Sequence, residues 1–95
     1  MLAAEEHPGV DDLLAGLDVR DLTYLGAGLT TIARTETRRL PPAQRAQAST
    51  RRFRLGLLRD ANRRNPDGLR TWVRRTGEEI LLIRSLQATA DRLSD

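Results

Sequence analysis

Apolar residues recur in this chain at intervals of three and four, and nowhere do they alternate with polar ones over the length of a strand. A period of 3.6 residues marks one buried helix face, whereas a half-buried strand needs a period of two. Two proline breaks divide the pattern. Pro41-Pro42 ends one helical segment and opens the next, since proline has no amide donor yet fits a first helical turn. Asn65-Pro66-Asp67-Gly68 is a turn signal of comparable strength. The expected fold is all-α, a small bundle of four to five helices.

At 95 residues the chain has length for one domain. A chain of this size buries only roughly 60–65% of its unfolded surface, so the core is thin and support from a second copy or a larger assembly is expected. Pro8-Gly9 separates a flexible N-terminus, residues 1–9, from a single helical domain over residues 10–95. The absence of cysteine removes disulfides and thiolate metal sites. The longest strongly apolar run, Ile80-Leu81-Leu82-Ile83, falls far short of the roughly 20 residues of a membrane span. The opening "MLAAEEHPGV" has neither the basic nor the apolar region of a secretory signal, which makes a cytoplasmic protein the expectation.

The periodicity predicts helices over residues 10–17, 19–40 and 42–64. In the second, Val19, Leu22, Leu25, Leu29, Ile32, Ala33 and Leu40 share one arc, and Asp18 is placed to cap it. Gly26 and Gly28 inside that helix together cost roughly 1.5–2 kcal/mol relative to alanine, so they either bend it or admit a neighbouring backbone. Further on, "LRTWVRR" predicts a short helix. Thr76 with Glu79 then resembles a capping box that would open a last helix over 77–93. Apolar spacing at 69, 73, 76, 80 and 83 fits one continuous helix equally well.

Charge is distributed in blocks. Residues 1–33 carry six acids against Arg20, a balance of −5; residues 34–75 carry thirteen arginines against Glu36, Asp60 and Asp67, a balance of +10; residues 76–95 return to −2. All sixteen basic residues are arginine, as a GC-rich genome would produce, and arginine's planar fork suits phosphates and carboxylates. Such asymmetry points to a polyanionic partner.

On the third helix Ala43, Ala46, Thr50, Phe53, Leu57 and Ala61 form a stripe expected to face the core. Arg45, Arg52, Arg59 and Arg63 lie within about 40° of one another on another side, spread over roughly 27 Å. Leu55 and Leu58, flanking Arg51, belong to neither face. The near absence of compensating acids argues that the arginine row is more than a solvated face. Arg34, Arg38, Arg70, Arg74 and Arg75 would extend it wherever the fold brings them alongside. Three aromatic residues are too few for a base-stacking platform. Trp72, between Arg70 and Arg74, is the single stacking candidate, although core packing suits it better.

No catalytic site is found. His7 is the only histidine and stands as a bystander; di-iron Glu-x-x-His pairs are missing, and "GAGLTT" lacks the preceding strand of a phosphate-binding loop. Asp11-Asp12 and Glu78-Glu79 suit helix starts. Glu36 lies on the apolar arc of the second helix, which predicts a buried pair with an arginine. No metal, cofactor or small-molecule substrate is implied.

The expected function is a non-enzymatic nucleic-acid-binding subunit, RNA or DNA, holding the phosphate backbone through Arg45, Arg52, Arg59 and Arg63 with Arg38, Arg70 and Arg74, with little sequence specificity. It would work as a homo-oligomer or within a larger complex. The alternative is a helical protein-interaction module (adaptor, antitoxin or regulator) whose basic face meets an acidic partner. In general character, small, all-helical and arginine-rich, the chain is similar to small helical subunits of nucleoprotein assemblies, including RNA-guided CRISPR effectors. No motif carries that likeness.

Overall fold

The computed structural model describes residues 12–94. A helical turn at residues 12–15 (α1) precedes three long helices, α2 (Val19–Thr37), α3 (Pro42–Ala61) and α4 (Pro66–Ser94), and no strand occurs among the described residues. The fold is the small all-α bundle that the periodicity predicts. The expectation for residues 1–9 falls outside the described residues.

Local chemistry sets the helix ends. Asp18 caps α2 as expected, its Oδ1 accepting from the Asp21 amide at 2.8 Å. Pro41 and Pro42 open α3 without a side-chain cap. Asn65 caps α4, its Oδ1 accepting from the Asp67 amide at 3.1 Å, with Pro66 in the first helical position. Asn62 braces the turn before it by donating from Nδ2 to the Leu58 carbonyl at 2.8 Å.

α4 is the axis of the molecule. It packs along both α2 and α3, whereas α2 and α3 barely meet. The result is a flat body, 44 × 35 × 16 Å. Two apolar clusters sit along α4. One joins Leu14, Leu22, Leu69, Trp72 and Val73; the other joins Ala33, Leu40, Ala48, Ile80 and Ile83. At their junction the indole of Trp72 lies directly on Gly26, where a Cβ would overlap the ring. Close approach is thus the reason for Gly26, while Gly28 faces open space.

Several expectations are corrected. α4 runs unbroken through Thr76 and Gly77, so Thr76 and Glu79 form no capping box. The Thr76 hydroxyl instead donates back to the Trp72 carbonyl at 2.8 Å, and Glu79 turns to α3. α3 ends at Ala61, which leaves Arg63 in the turn. The stripe expected to be the core face of α3 points outward: Phe53 is 68% exposed and Leu57 53%. The inward side carries Ala48, Arg51, Arg52, Leu55 and Leu58. Ala48 is fully buried against Ala33, Ile80 and Ile83, a crossing that a larger residue would force apart. On α2, Leu25 and Ile32 are likewise exposed, because the buried arc turns towards Gly26 and Thr37. Leu82 and Leu93 of α4 are exposed as well.

Candidate nucleic-acid interface

Because α2 and α3 are splayed across α4, a narrow groove opens between them. Thr30 and Ala33 of α2 form one wall, Arg52, Gly56 and Arg59 of α3 the other, and Trp72 and Thr76 of α4 the floor. Its volume is about 30 Å³, room for water-sized groups and not for a nucleobase.

Arg52 enters this groove half-buried. Its Nη2 donates to the Ser49 hydroxyl at 3.3 Å, while Nε is buried with no protein partner. Burial pushes the Arg52 guanidinium below its ordinary pKa; the charge of Arg34 on α2 pushes it the same way, and Glu79 opposes both. Two cations from different helices are therefore held within mutual influence. Glu79 itself is already engaged by Arg51 at 2.8 Å.

The remaining arginines divide. Arg45 is exposed on α3, and Arg59 is exposed but shares Asp60 at 3.0 Å. Arg63, expected as the last member of the row, is exposed in the turn after α3, where helical spacing no longer sets its direction. α2 stops at Thr37 rather than running to residue 40, so Arg38 is its C-terminal cap, one turn after Arg34, and is exposed. Arg70 and Arg74 do not join this surface. Each is two residues from Trp72, hence about 200° round α4 from the groove floor. They border a separate cleft beside Leu14 and Ala15 of α1, where Arg70 pairs with Asp67.

Trp72 is 1% exposed, which removes it as a stacking platform. Glu36 pairs with arginine as expected, Arg84 at 3.3 Å and Arg39 at 3.5 Å, but both partners are exposed, so the pair lies at the surface and is not buried; the Gln87 amide also donates to the Glu36 backbone carbonyl at 2.7 Å. From the sequence Arg34 is only an extension of the row, and its influence on Arg52 is not apparent there. Its one readable sign was the lack of acids four residues from either arginine. Among the described residues no cluster of histidine, cysteine or carboxylate could hold a metal ion, and no helix is long and apolar enough to cross a membrane.

The fold and the groove together define a class, a small all-α bundle with a basic inter-helix groove. No protein-family model matches the chain, and neither a curated protein nor a solved structure matches it.

Proposed function

We propose that this protein is a non-catalytic, cytoplasmic nucleic-acid-binding subunit that grips phosphate groups along the rim of the α2–α3 groove. The observation that carries the reading is the α2–α3 groove lined by Arg52 and Arg59, with Arg45 on the same side of α3 and the charge of Arg34 on α2 felt at Arg52. A fold that holds like charges together gains when an anion arrives between them, and arginine's fork is suited to phosphate. The groove's small volume and the burial of Trp72 favour contacts to the backbone over readout of bases. The flat shape and the exposed Leu13, Tyr24, Phe53, Leu81 and Leu93 support work within an oligomer or a larger nucleoprotein assembly.

The test is fluorescence anisotropy of labelled single-stranded RNA, single-stranded DNA and duplex DNA, each titrated across salt. About three to five neutralised phosphates give a log K against log salt slope of roughly −2 to −4.5, depending on the polymer. Exchanging Arg45 and Arg59 for glutamate is expected to lower affinity by at least about tenfold with helicity unchanged. Affinity that is indifferent to salt and to both substitutions would overturn the proposal.

A further inference from the structure

A further cleft, of about 350 Å³, opens on the other flank of α3, where it meets α4. It is at the small end of the roughly 300–1,000 Å³ typical of ligand pockets, a size for one or two side chains rather than for a folded domain. Leu55 and Leu58 of α3 and Leu82 of α4 supply its apolar part. Arg54 and Arg75 stand at its edge, both exposed, and neither is ion-paired with an acid among the described residues. Arg51 forms part of the wall. Its Nε is committed to Glu79, but its Nη2 is buried without a protein partner.

We infer that this cleft is a docking site for an acidic partner peptide, which seats a leucine- or phenylalanine-sized side chain among Leu55, Leu58 and Leu82 and presents a carboxylate to Arg54 and Arg75. The apolar part requires an apolar side chain, and the arginines require an anion beside it. Glu78 at the edge and Glu79 in the wall stand against the three arginines, so the local surplus is a single positive charge. That surplus suits one carboxylate. A run of phosphodiesters would meet the two glutamates and be repelled. The site shares only Leu55 with the α2–α3 groove, so it stands or falls independently of nucleic-acid binding.

The experiment is a titration of the ¹⁵N-labelled full chain, followed by amide chemical shifts. The probes are a short amphipathic helical peptide of leucine and glutamate, the same peptide with glutamine for glutamate, and oligouridylate. The glutamate peptide is expected to shift the amides of Leu55, Leu58 and Leu82 saturably. The glutamine peptide, or the protein carrying Arg54→Glu with Arg75→Glu, should bind at least about tenfold more weakly. Leu82→Glu, at a position already 42% exposed, should abolish binding with the amide spectrum otherwise intact. Equal binding of both peptides, shifts centred on Arg45 and Arg59, or occupation of the cleft by oligouridylate in place of the peptide would each overturn the inference.

Discussion

Arg51 of α3 donates from Nε to both carboxylate oxygens of Glu79 on α4, at 2.8 and 3.0 Å. Glu79 is 6% exposed, so its charge is stable in the fold only because Arg51 meets it. This one contact orients α3: it turns Arg51 inward and Phe53 outward. Glu79→Ala is expected to destabilise the protein by about 2 kcal/mol. That is below the figure for a fully buried pair, because Arg51 retains some contact with water. A double-mutant cycle with Arg51→Ala, read by urea denaturation, should show the two losses to be strongly non-additive.

Gly26 and Gly28, two positions apart in one helix, are expected to respond to alanine with opposite signs. Gly28→Ala meets open space and should stabilise by up to about 1 kcal/mol through helix propensity. Gly26→Ala drives a methyl into the Trp72 ring and should cost about 1–3 kcal/mol net. Thermal unfolding of both variants measures the contrast. The same sign for both would mean that Trp72 does not rest on α2.

Arg52→Met should separate binding from stability. Burial and Arg34 both disfavour the Arg52 charge, and its Nε has no partner, so removing the charge relieves more than it forfeits. Stability is expected to stay level or rise slightly, since solvent screens a charge that is only partly buried. Affinity for single-stranded RNA or DNA should fall. A variant that loses stability while keeping affinity would assign Arg52 to the fold alone.

Phe53→Ser tests the direction in which α3 faces. A buried phenylalanine truncated to alanine costs about 3–5 kcal/mol, whereas an exposed position costs within about 0.5 kcal/mol. Phe53 is 68% exposed, so the small figure is expected by chemical denaturation.

Much of the architecture could be read from local rules. The helix starts at Asp18 and Pro42, the all-α class and the pairing of Glu36 with arginine follow from capping preferences, proline geometry and helical spacing, which act within a few residues, whereas Pro66-Asp67-Gly68, expected as a turn, is already the first turn of α4. The inward face of α3 does not. Two apolar stripes compete there, one through Phe53 and Leu57 and one through Ala48, Leu55 and Leu58, and periodicity alone ranks them almost equally. The same ambiguity left α4 open between one helix and two, and placed Thr76 in a cap it does not form.

Tertiary contacts decide these points by acting across long sequence separations. Glu79 finds Arg51 28 positions away, and Ala48 is small enough for α3 to cross close to Ala33 and Ile83. With α3 turned in this way, Arg52 comes to the groove beside Arg34, while Arg70 and Arg74 are carried to the other side of α4. The sequence by itself determined the all-α class, the helix starts at Asp18 and Pro42 and how much positive charge the helices carry, because propensity, capping and composition are local. Which arginines share a surface was decided only by packing, because that depends on the rotation of each helix against its neighbours.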